Sequence, residues 1–141
     1  MDDALKPDAV AASIARIPYA RFLGIDFEVK GDELTLVMPY SEHLLGRPNP
    51  PALHGGVIGA LLEIVAIAQV TATSGVKRAP KTIDVTVSYL RSGRPVDTYA
   101  RAHISRLGRR IANARAEAWQ SNRFDPIATL HGNFLLRADE P

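Results

Sequence analysis

At 141 residues the chain is long enough for one domain with a real core and too short for two comfortable ones, so a single domain over residues 1–141 is expected, its first 18 residues a helical segment. Hydrophobic residues make up 46% and charged residues 23%, which excludes a disordered or fibrous class. The formal net charge of +2 gives no reason to expect nucleic-acid or membrane partners, and the lack of cysteine excludes a disulfide framework, a thiolate metal site and a thiol nucleophile.

The opening MDDALKPDAV is acidic and polar, without the basic start and apolar core of a secretory signal, so a cytoplasmic location is the expectation. Residues 7–17, PDAVAASIARI, carry apolar positions at helical spacing behind Pro7 and Asp8, which predicts a short amphipathic helix. GIDFEVK and DELTLVMPY, joined through Lys30, Gly31 and Asp32, read as a β-hairpin with a glycine in its turn. In SEHLLGRPNPPALHGG, Gly46 and the prolines at 48, 50 and 51 are expected to forbid regular structure and leave a loop. That loop delivers the chain to a long helix from about Gly55 to about Ala72, ending near Ser74 and Gly75. Val57, Ile58, Leu61, Leu62, Ile64, Val65 and Ile67 cover every side of it, the pattern of a helix surrounded by protein. The apolar run, Gly55 to Val70, is broken by Glu63 and Gln69 and falls short of the roughly 20 residues a membrane span needs.

Strands follow. KTIDVTVSYL alternates, with Ile83, Val85, Val87 and Tyr89 on one face and Thr82, Asp84, Thr86 and Ser88 on the other. TYARAHISRL aligns Ala100, Ala102 and Ile104, RRIANARAEAW aligns Ala112, Ala114, Ala116 and Ala118, and PIATLHGNFLLR closes the set. The connections RSGRPVD, RLGRR and QSNRFDP between them predict an antiparallel meander. Rows of alanine let a helix approach a sheet closely. The expected architecture is α+β, an antiparallel sheet wrapped around one long central helix.

Chemistry concentrates at HGGVIGALLE. A helix N-terminus presents unpaired N–H groups and the positive end of the helix dipole, and glycines there admit another group close to the backbone. The Gly55 and Gly56 amides are therefore candidate donors to a carbonyl or oxyanion, against the alternative that the two glycines only permit the entry turn. Glu63 stands among apolar residues, where desolvation is expected to raise its pKa towards the range of a useful general base; a structural pairing with an Arg or Lys is the alternative. His54 is expected to cap the helix or fix the loop, with a role as base the rival reading. His43 is expected to be exposed and His103 and His131 to be structural, and no pair of histidines has metal-ligand spacing. Arg91 and Arg94 in one turn, and Arg106, Arg109 and Arg110 around Gly108 in another, are candidate phosphate-binding groups or simply a solvated basic surface.

The stretch HGGVIGALLE, with an acid nine residues after the His, followed by TIDVTVSYLR, GRR and the last strand, resembles the hotdog-fold acyl-CoA thioesterases over roughly residues 20 to 137. The likeness is to the phenylacetate-degradation type of the 4-hydroxybenzoyl-CoA thioesterase superfamily. The resemblance implies that Gly55 polarises the thioester carbonyl, that Glu63 is the general base or alternatively the nucleophile, and that Thr82 helps hold the attacking water. It also implies a site shared between two subunits of a homodimer, often paired into a tetramer, with coenzyme A bound through Gly56, Arg91 and the arginines around Gly108. Two positions depart from that pattern. The acid is Glu instead of the commoner Asp, which moves the carboxylate by about 1.5 Å. Where the family often has a catalytic Asn six residues before the His, this chain has Pro48; Asn49, one residue nearer, is the candidate for that role only if the proline-rich loop is rearranged.

The expected function is hydrolysis of an acyl- or aryl-CoA, with coenzyme A as part of the substrate and no cofactor or metal. Two rivals belong to other classes: a hotdog hydratase or dehydratase acting on acyl-CoA or acyl carrier protein, and a non-catalytic acyl-CoA-binding protein with Glu63 locked in a salt bridge.

Overall fold

The computed structural model describes residues 4–137. The expected N-terminal helix is two: α1 (Pro7–Ala15) and α2 (Pro18–Leu23), each opening on a proline, whose missing N–H is no loss at a first helical position. The hairpin follows as predicted, β1 (Asp26–Lys30) and β2 (Glu33–Met38), turning through Gly31 at φ 63°.

The proline-rich stretch is a correction. It is not an irregular loop: a 3-10 turn over Glu42–Leu44 leads into a two-stranded ribbon, β3 (Leu45–Pro48) and β4 (Pro51–Leu53). Pro48 and Pro51 form the last pair before the turn, where a missing N–H interrupts no interior ladder.

The central helix α3 (Gly55–Ser74) ends as predicted, on Gly75 in the left-handed conformation. At 20 residues it is long and apolar enough to cross a membrane by length and composition. Its burial against the sheet makes it instead the core helix. The last four strands are β5 (Lys81–Tyr89), β6 (Thr98–Leu107), β7 (Ile111–Trp119) and β8 (Ala128–Leu135).

The six-stranded antiparallel sheet has the order β1-β2-β6-β7-β8-β5. β6, β7 and β8 do form a meander, but β5 does not adjoin β6; it pairs with β8 and is an edge strand. The connection over residues 90–97 carries the chain back across the end of the sheet. It is held by Leu90 and Arg91 N–H on the Ile127 carbonyl and by Leu53 N–H on the Gly93 carbonyl. The alanine rows face α3 as expected: Ala100, Ala112, Ala114 and Ala118 are fully buried beneath it, with Leu130 and Phe134 of β8.

The helix is not enclosed on every side. The sheet and α1 cover most of it, but Gly56, Ala60, Glu63 and Ile67, spaced along one stripe, are only partly buried or exposed. That stripe and the edge strand β5 share the open side of the molecule.

Candidate active site

At the start of α3 the backbone donors can be accounted for one by one. His54 stands outside the helix as its N-cap, and its Nδ1 accepts the Gly56 N–H at 2.8 Å, the capping role the sequence suggests. The Val57 and Ile58 N–H groups both reach the His54 carbonyl, at 3.1 and 3.4 Å. Of the four first-turn donors only the Gly55 N–H has no partner among the described residues. The two glycine amides that the sequence leaves equivalent are thus distinct, because His54 occupies that of Gly56.

Tyr89, at the end of β5, donates its hydroxyl to the Gly55 carbonyl at 2.7 Å. A Cβ at Gly55 would lie 3.4 Å from the Tyr89 ring, and one at Gly59 only 3.2 Å from its hydroxyl. Gly59 costs about 1 kcal/mol against alanine in a helix interior, and the seat of Tyr89 is what that glycine makes room for. A cavity of about 540 Å³ opens here, bounded by Gly46, Leu53, Ile58, Tyr89, Leu90 and Arg91.

Two turns along α3, Glu63 is partly buried on the open stripe, and Thr82 Oγ1 donates to its Oε2 at 2.8 Å. Strict alternation predicts Thr82 on the face opposite Val85, Val87 and Tyr89. A register shift between Thr82 and Asp84 inserts an extra residue and turns Thr82 inward, in line with Val85 and Val87. No cation lies within ion-pair distance of Glu63 among the described residues.

Gly55 and Glu63 do not meet within one chain. Eight residues at roughly 1.5 Å of rise separate them by about 12 Å along the helix, too far for both to reach one reacting carbonyl.

The remaining candidates are scattered. Asn49 is exposed in the β3–β4 turn and lines neither cavity. Arg91 borders the cavity at Gly55, but its guanidinium is held by both oxygens of Asp125, at 2.6 and 3.0 Å. Arg94 bonds Ser121. Arg106, Arg109 and Arg110 surround Gly108 in the β6–β7 turn, beside the Thr82 end of the sheet and away from Gly55. A larger cleft of about 860 Å³, where β2 and β6 part beyond Leu36 and Ala100, includes Gln69, Thr73 and His103 but neither Gly55 nor Glu63. His43 is exposed, as expected, with its ring nitrogens on Ser41 Oγ and the Phe22 carbonyl. The described residues contain no cluster of three or more His, Asp or Glu that could hold a metal ion.

Sequence reasoning missed Tyr89. Its signal was present in Gly59, a glycine inside the helix one turn after Gly55, which marks a close approach to that face of the helix.

A family model described as the thioesterase superfamily matches residues 51–124, just over half of the chain. No curated protein matches. Among solved structures, a protein from Chromobacterium violaceum is 34% identical with a TM-score of 0.73, over 94% of this chain and 93% of its own. A phenylacetic acid degradation-related protein from Ralstonia eutropha is 22% identical with a TM-score of 0.76, over 90% of this chain and 98% of its own. A Bacillus halodurans protein determined with CoA is 16% identical with a TM-score of 0.77, over 94% of each chain. The last two likenesses are of fold, and the architecture is the expected hotdog, an antiparallel sheet curled around one long helix.

Proposed function

Because the chain belongs to the thioesterase superfamily, we propose that it hydrolyses an acyl- or aryl-CoA thioester to the free acid and CoA. One observation carries this reading: a carboxylate on the open stripe of the core helix, unpaired with any cation among the described residues and bonded to a threonine hydroxyl at 2.8 Å. Glu63 accepts a proton from water as the oxygen attacks the thioester carbon, and Thr82 helps orient that water. Negative charge gathers on the former carbonyl oxygen, where the unpartnered Gly55 N–H and the helix dipole stabilise it. As the tetrahedral intermediate collapses, the C–S bond breaks and the proton held by Glu63 passes to the departing sulfur. The products are a carboxylic acid and a thiol, with no metal or redox group required. A locked salt bridge at Glu63, which the non-catalytic reading needs, has no supporting cation among the described residues.

The 12 Å gap along one helix makes the active unit a homodimer in this reading. Edge strand β5 leaves Ile83, Val85 and Tyr89 exposed at 51%, 37% and 54%, an apolar edge that soluble proteins cover. An antiparallel two-fold pairing centred on Thr86, with the extra residue at Ile83 counted, sets Thr82 of each chain opposite Tyr89 of the other. Glu63 and Thr82 of one copy then approach Gly55 of the second, and the arginine turn around Gly108 comes to the side of that copy's cavity, where it would meet the phosphates of CoA. Further pairing of dimers into a tetramer, and a cytoplasmic location, belong to the same proposal.

Thiol release from a panel of aliphatic and aromatic acyl-CoAs tests it, with wild type and Glu63→Ala side by side. Release by the wild type that collapses in the variant is the expected result. No release from any member of the panel by wild type rejects the hydrolase reading.

A further inference from the structure

Two consecutive peptide units set the direction in which the Gly55 N–H points. The first, between His54 and Gly55, carries that N–H, and its carbonyl is held by the Val57 and Ile58 N–H groups. The second, between Gly55 and Gly56, is held at its N–H by His54 Nδ1 and at its oxygen by the Tyr89 hydroxyl as well as by the helix's own Gly59 N–H. Between them stands a glycine, the residue with the widest choice of backbone conformations, followed by another. Left to itself, a Gly-Gly helix start frays, and a frayed donor cannot be pre-aimed at a developing oxyanion.

We infer that Tyr89 is a positioning residue: its hydroxyl, clamping the Gly55 carbonyl from the edge strand, fixes the orientation of the Gly55 N–H. Its backbone is well placed for this. Tyr89 pairs with Ala128 of β8, and the next two N–H groups share the Ile127 carbonyl, so the end of β5 is tied down where the ring leaves it. The ring lies over the first turn of α3, where the missing side chain at Gly59 leaves room for its hydroxyl. No other side chain among the described residues bonds the Gly55 carbonyl. The inference rests on the hydrolase reading for its catalytic consequence, but the clamp itself is a property of the fold.

Tyr89→Phe removes the hydroxyl and keeps the ring. With the best substrate of the panel, kcat is expected to fall roughly threefold to tenfold, the range set by one neutral hydrogen bond, with KM unchanged and Tm lower by about 3 °C or less. Hydrogen exchange at the Gly56 amide, read without substrate, should quicken several-fold. A second variant displaces the hydroxyl without deleting it: Gly59→Ala puts a Cβ 3.2 Å from Tyr89 Oη. It should lower kcat in the wild-type background and have no such effect in the Tyr89→Phe background, since the target of its crowding is gone. Either an unchanged kcat or an unchanged Gly56 exchange in Tyr89→Phe would overturn the inference, as would equal losses from Gly59→Ala in both backgrounds. If wild type hydrolyses no thioester, the hydrolase reading fails, while Gly56 exchange still decides the clamp. If wild type is active and Tyr89→Phe equals it, only the inference about Tyr89 falls.

Discussion

Glu63→Gln separates chemistry from architecture more cleanly than truncation to alanine. The amide has the size and shape of the carboxylate, and its oxygen can still accept the Thr82 hydroxyl now 2.8 Å from Glu63 Oε2. What the substitution removes is the capacity to take a proton. Exchanging a charged acceptor for a neutral one loses about 1 kcal/mol of hydrogen bonding, and no longer holding a charge in a partly buried site offsets part of that. Tm should therefore move by no more than about 3 °C for a chain of this size. Loss of a positioned general base should lower kcat by about 10²- to 10⁴-fold, or roughly 3 to 5 kcal/mol of barrier. KM should stay within about threefold, since Glu63 acts on the attacking water and not on the CoA moiety. Thiol release followed over a range of substrate concentrations gives both parameters. Thr82→Val provides the internal check: it should cost about tenfold by itself and little more when added to Glu63→Gln, because the two act as one unit. A Glu63→Gln enzyme that keeps more than a tenth of the wild-type kcat would refute the assignment of Glu63 as base.

Three further outcomes follow from packing and edge geometry. Val85→Lys, beside the centre of the edge strand, places two like charges diagonally across the proposed two-fold pairing, so sedimentation should find a monomer and thiol release should fall with dimer content. Ala114→Leu inserts a larger side chain beneath α3 at a site with no exposed surface and should destabilise by about 1–3 kcal/mol in urea unfolding. His54→Ala removes the cap on the Gly56 N–H and should cost about 0.5–2 kcal/mol, read in the same unfolding experiment.

The parts of the fold legible in the sequence are those governed by local period. The β1–β2 hairpin, the extent of α3 and its stop at Gly75, and the alanine faces of β6 and β7 all follow from spacing and turn residues. The sheet order does not. That β5 joins β8 instead of β6 depends on which distant edge is free, and no local pattern in residues 81–97 records it. The prolines misled for a related reason: a missing N–H forbids a strand only where the ladder needs that donor, and at the turn end of β3 and β4 it does not. The site shows the same division. The cap at His54 and the acid at Glu63 stand in a motif that can be read directly, whereas Thr82 reaches the acid only through an irregularity in strand register, which alternation by its nature conceals.

The uniformly apolar surface of α3 predicts a helix surrounded by protein. One stripe, Gly56, Ala60, Glu63 and Ile67, is left partly open beside an unpaired strand. The distinction between these two kinds of burial cannot be drawn from hydrophobicity, because a surface awaiting a second copy and a surface facing the core demand the same residue types. The acid is what tells them apart. A carboxylate facing the alanine rows would lie in a layer of fully buried side chains with nothing to solvate it, and burying it there would cost several kcal/mol. On the open stripe it meets a hydroxyl and, in the proposed dimer, the water and thioester held at another chain's helix N-terminus. In the proposed dimer, the ionisable residue of an otherwise apolar core helix thus marks the face that the second copy covers. The position of Glu63 supports the two-chain site independently of the 12 Å that separates it from Gly55 along roughly 1.5 Å helical steps.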